Sequence, residues 1–380
     1  MTSFGVATTG SRPLTTLAPP TPSVRPIDVL AAASLDATPA AQLRGIRQTT
    51  GEFKDWFRRT GTVDLFAARS LVTLPYPRRY ALWEACSIPV PFVWMTNRLF
   101  VVQWREGGRT RTLLAEPSDY ELGLATPYLT TALRRMPLPD QFVRDRFFAR
   151  HGTVTSHLAA MGIAPEEVDY LTFDHLHTQD IRRLVGTTAP APDLGYLDRP
   201  VPPLFPNATM LVQRTELEHV RDAHPFQARF HQPETYRDID GSRLTIIDGD
   251  VLVGPGVALL RSPGHTLGNV TVVVNTPRGI VCSSENGVAV DSWAPEHSRI
   301  PGLRRWSAEQ RLEVVLNFNT PEFASFQYNS MIRERLLADP IPGHEHLPLV
   351  FPSSELARHW AAPGITATYA HGDVTWKAPR

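Results

Sequence analysis

Two histidines separated by one residue follow a largely apolar run in VDYLTFDHLHTQDIRRL, residues 168–184. The run 168–173 has no Gly or Pro and stops at Asp174; His175 and His177 come next, then Asp180. In an extended segment, residues i and i+2 point to the same side. Both imidazoles therefore project together and can converge on one ion, and neutral imidazole is the commonest side-chain donor to transition metals. A third histidine, His265, lies in SPGHTLGNVTV, after a Pro-Gly turn between two strand-like segments. Three histidines delivered from turns at strand ends make an open three-ligand site. Its fourth position is left for water or substrate, as in catalytic zinc sites. A bound divalent ion would bring the pKa of water from about 15.7 towards about 7 and polarise a carbonyl or phosphoryl oxygen. A His-x-His pair alone is most often incidental; the strand before it, the acids around it and the distant Pro-Gly-His-Thr turn single this one out.

The elements that must carry these residues alternate between helix and strand. Residues 27–70 hold two helical patterns, PIDVLAAASL and TPAAQLRGIRQTTGEFKDWFRRTG, the second opening on Thr38-Pro39, an N-cap followed by proline in the first turn. FVWMTNRLFVVQW and RTRTLLAEP read as strands around the turn REGG, PYLTTALRRM and VTSHLAAMGIAPEEV as helices, and DYLTF as the buried strand that delivers the chain to the histidine turn. The Pro-rich stretch 188–209 reads as a long loop of the kind that forms lids or substrate walls. TMLVQRTELEHVRDA reads as strand then helix, and 243–284 as short strands joined by Gly/Asp turns. TPEFASFQYNSMIRERLLAD reads as an amphipathic helix and LPLVFPSSEL as a last strand. The pattern predicts a mixed α/β layered domain. Residues 1–26 are expected to be a flexible tail, 27–85 a helical N-terminal extension, and 86–380 the main domain. The apolar face around FKDWFRR needs a partner surface, which points to a homodimer.

Composition narrows the function. The 380 residues carry 38 basic and 38 acidic side chains, a balance that argues against nucleic acid as the main partner. Two cysteines, Cys86 and Cys282, make no disulfide framework and suit a reducing compartment. The first 26 residues have no apolar core of signal-peptide length, and no stretch reaches the roughly 20 apolar residues that span a bilayer. A cytoplasmic protein acting on a small molecule, with no membrane partner, is the expectation.

The motifs also carry a resemblance. GIAPEEVDYLTFDHLH, LFPNATMLVQRTELEHV and DGDVLVGPGVALLRSPGHTLGNVTVVV resemble the metallo-β-lactamase superfamily over roughly residues 90–360. In that family an αββα sandwich carries a His-x-His-x-Asp-His turn after a strand. A Gly-His-Thr turn, an Asp at a strand end and a last His follow. The resemblance implies an α/β αββα sandwich with an N-terminal helical extension, and a metal held by His175, His177 and His265. The chain departs from the pattern in the second half of the site. The family's Asp falls on Gln179 and its next His on Asp180. Its bridging Asp falls near Glu285, with Asn286 a weaker candidate, and its last His falls on Ser353-Ser354-Glu355. His344 and His346 in IPGHEH are the other candidates for that missing ligand. Asp180 and Glu285 are thus the expected additional ligands or proton-handling groups, for one or two ions, zinc first, with iron or manganese as the alternatives that carboxylates favour. Asp174 would either orient an imidazole or cap the next helix. Glu116 would be either a structural acid near the metal turn or a surface acid.

The family's lactonase-like and esterase-like members share this outline. A metal-dependent hydrolase acting on a small ester, lactone or amide is therefore the leading expectation. A di-iron oxidase on the same fold and a non-catalytic binding descendant are the alternatives.

Overall fold

The computed structural model describes residues 24–30, 38–134 and 139–379. The expected tail is described only from residue 24, and the helix expected in PIDVLAAASL only as far as Leu30. The part that is described is not helical: Arg25–Pro26 forms a short strand against Val251–Gly254.

Helix Pro39–Thr60 forms as its sequence predicts. Thr38 caps it by accepting from the Ala41 amide, and Pro39 occupies the first turn, where no amide donor is needed. It stops at Gly61, whose φ of 140° few other residues adopt and whose Cβ position lies 2.8 Å from Pro255 Cβ. The chain then enters strand Leu65–Pro77, which pairs along its length with Phe92–Glu106. The expectation of a helical extension reaching residue 85 therefore fails. LFAARSLVTLPYP, with 65–68 and 71–73 buried, becomes an interior strand of the main sheet, between Phe92–Glu106 and Val374–Lys377.

Two sheets face each other. One runs Arg25–Pro26, Val251–Gly254, Val257–Arg261, Val270–Thr276, Gly279–Ser284, Val350–Pro352. The other runs Leu244–Ile247, Thr209–Gln213, Tyr170–Thr172, Arg109–Ala115, Phe92–Glu106, Leu65–Pro77, Val374–Lys377, with Ser354–Ala357 and Ala149–Arg150 attached beside it. Phe66, Phe100 and Trp104 of the larger sheet meet Val253, Leu259, Val272 and Phe351 of the smaller one between the layers. Leu158, Leu217 and Val220 cover the outer face of the larger sheet, and Phe53, Phe57, Met331 and Ile332 that of the smaller. Helices thus lie outside both sheets. Each fully buried side chain of this size contributes about 1.5–3 kcal/mol.

Two sequence expectations change in this packing. Helix Ala324–Leu337 is not amphipathic: Gln327, Asn329, Arg333 and Glu334 are buried along with Met331 and Ile332. The reason is that helix Pro39–Thr60 covers its outer side, where Asn329 Nδ2 donates to Pro39 O and Gln42 Oε1 at 2.7 Å each. The same contact supplies the surface that FKDWFRR needs, since Phe53 and Phe57 pack against this chain's own Ile332 and Leu337. The apolar face assigned to a partner subunit is therefore satisfied within the chain.

Cys86 and Cys282 are both buried and free, and burial pushes the Cys282 thiol well up, in keeping with a bystander in the core. Among the described residues no helix is long and apolar enough to cross a membrane.

A pH effect follows from the C-terminal segment. His371 stacks on Phe351 at 3.6 Å between ring centroids, and burial lowers its pKa to about 4. The unfolded chain takes up that proton near pH 6.5, before the folded one can. Stability should be full above pH 6.5 and fall by up to about 3 kcal/mol as pH drops towards 4. His371→Asn should flatten this part of the urea-midpoint profile; an unchanged slope would show that His371 does not cause it.

Candidate metal centre

The first two histidines leave the larger sheet at the end of Tyr170–Thr172, a fully buried three-residue strand between parallel neighbours. The turn is held from both sides. The Glu116 amide donates to Thr172 O at 3.0 Å, and Glu116 Oε1 accepts from the Asp174 amide at 2.6 Å. Glu116 and Thr178 both adopt left-handed backbone, φ 56° and 61°. Such positions cost about 1–3 kcal/mol outside glycine and persist where the surroundings enforce them, commonly at functional sites. Glu116 is thus a buried structural acid of the turn, not a surface one.

The third histidine comes from the smaller sheet, in the turn between Val257–Arg261 and Val270–Thr276. Gly264 is required there because a Cβ would lie 2.6 Å from Gln327 Cα. The two turns meet at the rim of the sandwich, where the Val270 amide donates to Asp174 O at 2.8 Å. There His175, His177 and His265 each offer one nitrogen, all within 4.8 Å of one another. Their ring centroids lie 4.3–4.9 Å apart.

The partners of the other ring nitrogens decide which nitrogen each histidine offers. Asp174 Oδ1 accepts from His175 Nδ1 at 2.6 Å, which leaves Nε2. Gln227 Oε1 accepts from His177 Nε2 at 2.9 Å, which leaves Nδ1. His265 Nε2 lies 3.1 Å from His177 Nδ1, while its Nδ1 has no partner among the described residues. Burial first, and neighbouring imidazoles second, hold His177 and His265 well below the usual histidine range. Both rings are neutral near pH 7, with lone pairs available. Buried, convergent imidazoles, two of them held neutral, fit a divalent ion.

Asp174 orients an imidazole and does not cap the helix that follows: its second oxygen accepts from Ser353 Oγ at 2.5 Å. Asp174→Ala should therefore weaken metal binding by about 10–100-fold in a chelator competition. Unchanged affinity would remove Asp174 from this role.

The expected additional ligands fare differently. Asp180 turns away: both of its oxygens accept from Arg182, at 2.7–3.1 Å, so its carboxylate is neutralised there and does not reach the histidines. Gln179 accepts from Ser118 Oγ at 2.9 Å. Glu285 lines the same cavity as the histidines but stands outside the gathered three. Burial and the Asp174 carboxylate raise its pKa well above the usual carboxylate range. Glu355 is committed to Arg98 and to the His371 amide. His344 and His346 lie exposed on strand His344–Pro348, where His346 meets His297 at 4.6 Å between centroids, away from the cavity. Neither supplies the missing last histidine. Asn286 accepts from the His265 amide at 3.2 Å and stands outside the gathered three.

The cavity over the histidines is walled by residues that sequence reasoning passed over. Tyr76 donates to Asn319 Oδ1 at 2.6 Å, and Tyr128 has a buried hydroxyl without a partner among the described residues. Neither position carries a motif, and Tyr76 lies in the segment expected to be helical. Residues 188–209 contribute nothing to this wall. They form the hairpin Pro190–Ala191 with Tyr196–Pro200, with Leu197 exposed.

Comparison with known proteins adds relatives. No model of a protein family matches the chain. It is 25% identical over 210 residues, 53% of this chain, to the N-acyl homoserine lactonase AttM of Azorhizobium caulinodans. It is 28% identical over 141 residues, 37% of this chain, to the N-acyl homoserine lactonase AiiA of Bacillus thuringiensis subsp. kurstaki. The matched segments span 66% and 43% of those relatives' own lengths. Among solved structures, a probable metal-dependent hydrolase from Staphylococcus aureus superposes with a TM-score of 0.50 at 12% identity, over 81% of this chain and 96% of that one. The agreement in layers and strands, together with the lactonase relatives in sequence, makes this chain a protein of the metallo-β-lactamase fold.

Proposed function

We propose that the chain is a metal-dependent hydrolase whose substrate is a small lactone or ester bearing an apolar group. The observation that carries this reading is the convergence of three buried imidazoles from two different sheets, each presenting one nitrogen. One divalent ion, zinc first, is the expected occupant. The carboxylates that would hold a second ion are engaged elsewhere or stand apart, as at Asp180 and Glu285. When bound, the ion would supply an acidified water and a Lewis acid for a carbonyl oxygen. Asp174 holds the His175 ring at its angle, and Gln227, itself donating to Glu322 Oε1 at 2.8 Å, holds His177. Glu285 is the carboxyl placed in the cavity to accept or return a proton. Asp180, tied to Arg182, has no such role.

The cavity encloses about 100 Å³, which suits a small reacting group. It shares Leu74, Tyr76, Leu124, Tyr128 and Leu129 with an apolar recess walled by Pro75, Pro77, Phe92 and Phe148. An acyl or aryl substituent fits such a wall, and the lactonase relatives make a lactone the first ring to try.

The test is zinc, iron and manganese content per chain, followed by a screen of lactones and aryl esters with and without chelator. About one ion per chain and chelator-sensitive ring opening are expected. Iron in place of zinc would favour oxidase chemistry, and a chain that takes up no metal would leave only a binding role.

A further inference from the structure

We propose that Glu216 is the positioning residue of this centre: a single buried carboxylate that fixes the separation of the two ligand-bearing turns. The inference rests on the metal-site reading above. Glu216 lies on helix Arg214–Arg221, immediately after strand Thr209–Gln213 of the larger sheet. Its Oε1 accepts from the amide of Leu176, the residue between His175 and His177, at 2.7 Å. Its Oε2 accepts from the hydroxyl of Thr266, the residue after His265, at 2.5 Å. One side chain therefore grips the middle of one turn and the neighbour of the ligand in the other, across two sheets. The contact requires Gly268, where a Cβ would sit 2.3 Å from the Glu216 amide nitrogen and 2.4 Å from its Cβ. Glu216 is 2% exposed, and among the described residues no Arg or Lys pairs with it. Burying a carboxylate without a cation is costly, so its retention calls for a role that packing alone does not need. Fixing the distance at which His177 Nδ1 and His265 Nε2 face each other is such a role.

The test uses the full-length chain and needs no substrate. Zinc affinity is read by competition with a chromophoric chelator, geometry by the visible spectrum of the cobalt(II) form, and folding by the melting temperature without metal. Glu216→Ala should weaken zinc binding by about 10–100-fold and alter the cobalt spectrum. Glu216→Gln, whose amide accepts from Leu176 and donates to Thr266, should restore most of the affinity. Should the alanine variant not fold, Thr266→Val severs one arm alone and should weaken binding several-fold. Parental affinity in Glu216→Ala or Thr266→Val overturns the assignment, as does a glutamine variant as weak as the alanine one. A parent chain that binds no metal would instead defeat the site reading itself.

Discussion

Replacing His177 with alanine should strip the chain of its metal and of hydrolytic activity together. Structural zinc binds with about 10–16 kcal/mol over four ligands, so one imidazole carries roughly 3–4 kcal/mol, or two to three powers of ten in affinity. His177 is one of the three gathered imidazoles. Its Nδ1 faces His265 Nε2 at 3.1 Å, and its other nitrogen is fixed by Gln227. Asp180 is held by Arg182 and is not placed to substitute for it. Metal content per chain should fall to a few per cent or less after dialysis, and turnover of any lactone found in the screen should drop by about 10³-fold. His265→Ala should behave alike. Asp180→Asn should keep its metal, and that contrast is the stringent part of the test. If Asp180→Asn loses metal as His177→Ala does, or if His177→Ala retains it, the three-imidazole centre is wrong.

The second large effect concerns stability. Glu355, which the sequence offered as a replacement ligand, is one half of an ion pair with Arg98 whose side chains are 4% and 2% exposed. The guanidinium also donates to Gly372 O at 2.8 Å, and the carboxylate accepts from the His371 amide at 2.8 Å. The pair thus fastens strand Ser354–Ala357 and the C-terminal segment to strand Phe92–Glu106. Removing one partner of a buried pair leaves an uncompensated charge and costs about 3–5 kcal/mol, whereas replacing both by apolar side chains is often neutral. Glu355→Ala should therefore lower the free energy of unfolding in urea by that amount, and Arg98→Met with Glu355→Met should recover most of it. A loss below about 1 kcal/mol for Glu355→Ala would show that water or a rearranged Arg98 already carries the charge.

Much of the site was legible because local chemistry wrote it. Alternation along a strand places His175 and His177 on one side, and Pro263-Gly264 before His265 announces a turn; both are properties of a few adjacent residues. Residue types alone also suffice for the layered α/β class and for helix Pro39–Thr60 with its Thr-Pro start. The errors arose where a residue's partner, near or distant along the chain, is not announced by its own type. LFAARSLVTLPYP reads as part of a helical extension because its strand partner lies beyond it in the chain. Asp180 looked like a ligand from its place in the motif, yet the nearby Arg182 had the stronger claim on a carboxylate. Helix Ala324–Leu337 looked half-exposed because nothing in its own residues reveals that another helix lies on top of it.

By itself, then, the sequence determined which residues could bind a cation and that two turns would bear them. Only the tertiary structure decided which nitrogen each ring leaves free, which acids are already taken, and that Glu216 and Asp174 hydrogen-bond to the histidine turns and to the His175 ring. Those choices depend on through-space distances of a few ångströms between segments up to 257 residues apart, as for Arg98 and Glu355. Hydrogen bonds and ion pairs fall off too steeply with distance for one-dimensional order to specify them.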